Sequence, residues 1–127
     1  AWALFTLALA VQSAREWSNL VALPSSGRAA FVGGVAVLGV ALLVAAPPTA
    51  QGGRPPAVLW VSCGLATAFW LAVALPWVVY RWTPRSKLAL ALAGGLALVG
   101  CWIALVELQV RSPWLVLSAM AIVWVAD

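Results

Sequence analysis

The sequence predicts an all-α, polytopic transmembrane helix bundle with four full spans and the start of a fifth, truncated at both ends. Three observations predict it. Of 127 residues, 65% are hydrophobic and 8% charged, and the mean hydropathy is +1.07, whereas an average soluble domain is about 45–50% apolar and about 25% charged. The apolar residues gather into stretches close to the roughly 20 residues that cover a hydrocarbon core of about 30 Å. The breaks between them collect prolines, glycines and single basic residues, which end helices and anchor them at headgroups. The length suits one transmembrane domain, 1–127.

The first expected span covers about 1–23. It opens without a methionine and already inside apolar sequence, so it reads as the continuation of a longer chain. Lacking a basic start, it reads as a mature span rather than a signal peptide. Pro24-Ser-Ser-Gly-Arg28 punctuates, and a second span follows over 29–46. Between Pro47 and Pro56 stand four prolines and two glycines, which deny a helix both donors and backbone restraint, so this is a loop outside the bilayer. The third span is expected over 57–80 and the fourth over 88–110; a fifth begins at 113 and reaches 127 before it is long enough to cross.

Basic residues favour the cytoplasmic side. Arg15, Arg28, Arg81, Arg85 and Lys87 belong to the first and third turns, which alternate crossings place on one side, while Arg54 and Arg111 are left for the other. Turns 24–28 and 81–87 are therefore expected in the cytoplasm. Trp60, Trp82 and Trp114 fall near span boundaries, where an amphipathic indole is stable; Trp70, Trp102 and Trp124 are expected to pack between helices. The net charge of +4 comes from scattered residues that form no patch, which argues against nucleic-acid binding. With no histidine and two cysteines 38 positions apart, the chain assembles no disulfide framework, zinc-finger set or histidine triad. Cys63 and Cys101 read as small apolar side chains.

Few side chains are left to carry chemistry. Arg15 and Glu16 sit about two turns inside the first span, where ionised groups are costly unless solvated or paired; they either snorkel to headgroups or border a polar substrate cavity. Glu107 and Arg111 share a helical face and are expected to neutralise each other. Arg81, Arg85 and Lys87 serve topology and headgroup contact. Gly64, Ala68 and Ala72, like Ala89, Ala93 and Ala97, form ridges without bulk and are expected at helix contacts. Pro76 frees the carbonyl of Ala72 and predicts a bend. Asp127 ends a run that is apolar but for Ser118; an acid there is either a functional group or an interfacial cap.

Three segments resemble the amino-terminal half of the phosphatidate cytidylyltransferase (CDP-diacylglycerol synthase) family: Ala14-Arg-Glu-Trp-Ser-Asn-Leu-Val-Ala-Leu23, Tyr80-Arg-Trp-Thr-Pro-Arg85, and Pro113-Trp-Leu continuing to Val123-Trp-Val-Ala-Asp127. In order and spacing the resemblance covers essentially the whole chain. It implies a nucleotidyltransferase of phospholipid biosynthesis in the bacterial inner membrane, which converts CTP and phosphatidic acid to CDP-diacylglycerol and pyrophosphate with a divalent metal, Mg2+. Cations would neutralise the phosphates and hold the attacking oxygen in line. Asp127 matches an aspartate at the start of the family's active region and is assigned to support of the metal or nucleotide site. Glu16 matches a glutamate given a structural or substrate-cavity role. A homodimer is compatible with the resemblance. The family's carboxy-terminal signature would follow Asp127, so this segment alone is expected to be inactive. The alternative is a non-catalytic integral membrane protein, such as a small transporter component or an assembly subunit.

Overall fold

A computed structural model describes residues 1–47, 56–81 and 86–126, and the described residues are nearly all helical. They are α1 (Trp2–Leu20), α2 (Ser25–Ala45), α3 (Pro56–Phe69), α4 (Leu75–Tyr80), α5 (Lys87–Arg111) and α6 (Pro113–Ala126). A π-helical turn, Trp70–Ala74, joins α3 to α4 in one continuous rod.

Local chemistry sets the ends. After α1, Ala22 turns left-handed at φ 53°, and the N–H groups of Ala22 and Leu23 donate back to the carbonyls of Asn19 and Ser18. That pattern closes a helix and is normally built on glycine. Extended Pro24 precedes α2, and the Arg28 N–H donates to its carbonyl at 2.8 Å. The break is thus shorter than the expected 24–28, because a proline just before a helix presets entry without blocking the turn that follows. Ser86 caps α5, its Oγ accepting the Ala89 N–H at 3.3 Å. Extended Ser112 separates α5 from α6, and Pro113 occupies the first position of α6, where its missing donor is harmless. Pro76 is expected to bend its helix; one turn upstream of it the Leu75 N–H donates to Trp70 O, five residues back, which widens the helix.

Helix α5 is the hub, packing against α1, α2, α3 and α6. The core lies between α1, α2 and α5, where Leu7, Ala10, Trp102, Ile103 and Val106 cluster with Leu42, Leu43 and Val99 against them. Three indoles tie α1 to α5 in antiparallel register. Trp2 Nε1 donates to Leu105 O at 3.3 Å, Trp102 Nε1 to Ala3 O at 3.1 Å, and Trp17 Nε1 to Leu90 O at 3.0 Å. Donors Trp2 and Trp17 stand fifteen residues apart, as do acceptors Leu105 and Leu90, so both ends of the contact keep one register. Glycine makes the approach possible: a Cβ on Gly94 would occupy the place of the Trp17 indole, and one on Gly39 that of the Leu7 side chain. The buried hydroxyls of Thr6 and Ser18 bond back to the carbonyls of Trp2 and Arg15, at 3.0 and 2.7 Å, so no unpaired hydroxyl is carried into this apolar contact.

Among the described residues, three helical stretches are long and apolar enough to cross a membrane: Ser25–Ala45, Trp60–Tyr80 and Lys87–Arg111. Three of the four expected full spans, the second to the fourth, meet that measure. The first expected span, α1, has 19 residues, but Gln12, Ser13, Arg15, Glu16, Ser18 and Asn19 crowd its second half and lower its apolarity. The 14 residues of α6 are apolar but short.

Two packing expectations also change. Trp102 is buried, at 2% exposure, but Trp70 and Trp124 lie on the outer surface at 61% and 70%. Gly64, Ala68 and Ala72 are exposed, and nothing within 4 Å would meet a Cβ on Gly64. Small residues allow a close approach, and among the described glycines the closest are at Gly94 and Gly39, each facing a large side chain, with the Phe31 ring next nearest at Gly95.

Candidate functional site

Away from α1, α5 presents a second face to solvent-sized space. Every third or fourth residue from Leu88 to Ile103 lines an open cavity of about 860 Å³, flanked by α2, from Gly27 to Leu42, and by Ser62, Leu65 and Ala66 of α3. This spacing puts the lining residues on one helical stripe. A smaller cavity of about 290 Å³ continues along it, sharing Ser62, Ala66, Gly100 and Ile103 and adding Cys63, Ala104, Glu107, Leu108 and Arg111. The two form one groove that follows α5 from Leu88 to Arg111, about 35 Å at 1.5 Å per residue. That is on the scale of a hydrocarbon core about 30 Å thick.

The groove is unlike at its two ends. At the α5 N-terminus it is bounded by Leu23, Pro24, Gly27 and Leu88. Here the first and third turns meet, with Lys87 Nζ donating to Ala22 O at 2.8 Å. The expectation that these basic turns share one end of the bundle is realised by that contact, and Arg28 lies in the adjoining first turn of α2. At the opposite end Glu107, 6% exposed, and exposed Arg111 both line the smaller cavity. A long apolar channel with a few charged groups at its ends suits an amphiphile better than a polar metabolite.

The residues singled out in the sequence distribute as follows. Arg15 and Glu16 are exposed on α1 and line neither cavity; Glu16 Oε1 accepts from Gln12 Nε2 at 3.3 Å. The α1 face that packs on α5 carries Ala14 and Ser18 instead. Arg81 is exposed in left-handed conformation at the end of α4, φ 50°. Lys87 is engaged with Ala22. Asp127, Arg85, Arg54 and Trp82 lie outside the described residues. Among the described residues no three of His, Cys, Asp and Glu gather to hold a metal ion; the acid assigned to Mg2+, Asp127, is not one of them.

Sequence reasoning assigned Glu107 and Arg111 to mutual neutralisation and missed that they border a cavity. The signal existed, since positions 100, 103, 104, 107, 108 and 111 repeat at helical spacing. It was indistinct because α5 is apolar on all faces, so no stripe stands out before its neighbours are placed. Cys63 lines the smaller cavity, whereas Cys101, also a free thiol, lines neither. No protein-family model, no curated protein and no solved structure matches this chain.

Proposed function

We propose that the chain is the membrane-embedded amino-terminal part of a nucleotidyltransferase that joins the cytidylyl group of CTP to phosphatidic acid, as its resemblance to the phosphatidate cytidylyltransferases implies. The observation that supports this reading is the meeting of the two basic turns at the mouth of an apolar groove, with Lys87 held to Ala22 O at 2.8 Å beside Leu23, Pro24 and Leu88. A diacyl phosphate whose chains lie among α2, α3 and α5 would present its headgroup where Lys87 and Arg28 stand. There an ammonium and a guanidinium favour a phosphate through charge-assisted hydrogen bonds. In a bacterial inner membrane with these turns cytoplasmic, that end faces CTP. Mg2+, when bound, would neutralise the triphosphate, and Asp127 is the acid of this chain assigned to its support.

The test uses the full-length enzyme. Asp127→Asn should abolish CTP-dependent formation of CDP-diacylglycerol from phosphatidic acid while membrane insertion persists. Turnover near that of the unsubstituted enzyme would remove Asp127 from the site. A full-length protein that inserts but never makes the product would favour the non-catalytic alternative.

A further inference from the structure

We infer that the outward face of α1 is an interface between two copies of this chain, packed in parallel in the membrane about a twofold axis, with Arg15 of each copy paired to Glu16 of the other. No residue of α1 lines either cavity, so this surface is separate from the groove and independent of the cytidylyltransferase reading.

Depth makes the face costly to leave bare. The charge-free stretch of α5, Leu88 to Val106, measures about 28 Å, and a hydrocarbon core of about 30 Å uses all of it. The indole bonds set Trp17 beside Leu90 and Trp2 beside Leu105. The same antiparallel register sets Glu16 beside Ala91, Arg15 beside Leu92 and Gln12 beside Gly95, about 6 to 12 Å inward of Lys87. All three side chains are exposed. Gln12 Nε2 donates to Glu16 Oε1 at 3.3 Å, which leaves the carboxylate its charge. An ionised group at that depth is costly unless paired or solvated, and Arg15 and Glu16, about 100° apart around one helix, are badly placed to pair with each other. Snorkelling would relieve the long Arg15 side chain and leave Gln12 and Glu16 where they are.

The spacing describes the partner. Exposed Phe5, Leu9, Gln12, Glu16 and Asn19 follow one another at alternating steps of four and three residues, which is the seam of two helices packed side by side at a shallow angle. Gln and Asn in such a seam hydrogen-bond across transmembrane helices. The charges select a second copy. Copies of one membrane chain insert in the same orientation, so a twofold axis along the membrane normal sets every residue level with its counterpart. Neighbouring residues differ by only about 1.5 Å in height, and Arg15 of each copy therefore meets Glu16 of the other, twice over. The patch is self-complementary and neutral in sum. An anionic lipid would satisfy Arg15 and repel Glu16, and an unrelated helix would need a cation and an anion at these same two levels.

The test labels the full chain with donor or acceptor fluorophores and follows energy transfer as bicelle lipid dilutes it. The wild type should associate. Arg15→Glu and Glu16→Arg should each weaken self-association by about tenfold or more, the scale of one charge-assisted hydrogen bond. Mixed together, the two variants should associate within about threefold of the wild type, because one presents only carboxylates and the other only guanidiniums at matching levels. A second measurement maps the seam without altering its charges. With Cys63 and Cys101 replaced by serine, Leu9→Cys should crosslink to its counterpart under mild oxidation, and Val78→Cys, exposed on the rod, should not. A wild type that stays monomeric, leaving lipid or another protein to cover the face, would overturn the proposal. So would reversal variants that self-associate as well as the wild type, a mixture no tighter than either variant alone, or equal crosslinking at positions 9 and 78.

Discussion

Helices α1 and α5 bury Ala14, Trp102 and Val106 between them and are tied by three indole–carbonyl hydrogen bonds. The rod from Trp60 to Tyr80 leaves its whole apolar length outside the core, touching the bundle through one face of α3 on α5. Apolarity does not separate the two regions, since α1 is the more polar helix and the better buried. Lipid tails solvate a leucine as well as a protein interior does, so helix contact in a membrane depends on close fit and on polar groups that find partners. The α1–α5 contact has both: Trp17 fills the notch over Gly94, and each indole N–H meets a carbonyl. The rod has a comparable notch at Gly64 with nothing seated in it.

The sharpest way to break this comparison is to truncate an indole in each region. Trp102→Ala should destabilise the bundle by about 3–5 kcal/mol, and Trp70→Ala by less than about 0.5 kcal/mol, as for surface positions. Reversible unfolding in bicelles measures both, and equal losses would refute the contrast. Filling the notches is the next test. Gly94→Leu should cost about 2–3 kcal/mol by displacing the Trp17 indole, while Gly64→Leu should be neutral; the same unfolding assay reads the pair, and a loss at Gly64 would show that something covers the rod. The smallest effect sharpens the turn that ends α1. Ala22→Gly relieves a left-handed alanine at φ 53°, a strain of about 1–2 kcal/mol, and gives back part of it as chain entropy. A net gain of about 0.5–1 kcal/mol should raise the melting temperature measured by circular dichroism, and a fall would show that the Ala22 methyl is itself packed.

Much of the architecture was legible in the chain because punctuation in an apolar sequence is sparse and strong. Pro24, the Pro47–Pro56 segment and Pro113 placed helix boundaries within a few residues of those observed, and the π-helical turn Trp70–Ala74 lies just before Pro76, where a bend is expected. The shared end of the basic turns followed from alternation alone and is closed by Lys87. The candidate site was less legible. Arg15 and Glu16 drew attention as charges in apolar surroundings, yet they face outward, while Glu107 belongs to a cavity wall whose other members are unremarkable alanines, leucines and glycines. Charge is visible in a sequence; which face of an all-apolar helix meets a neighbour is not.

The chain by itself determined that apolar helices form, where they stop and which turns carry cations, because backbone donors must be satisfied locally in lipid and proline, glycine and charge act within a few residues of where they stand. Only the tertiary structure decided that α5 is the hub, that Gly94 and Gly39 rather than Gly64 admit a neighbour, and that one stripe of α5 opens as a groove ending at Glu107 and Arg111. Those outcomes depend on shape complementarity between side chains far apart in sequence, such as Trp17 and Leu90 or Trp2 and Leu105. In a chain apolar on nearly every face, hydrophobicity gives each helix no preferred side, and the fit of a few large residues against small ones settles the packing.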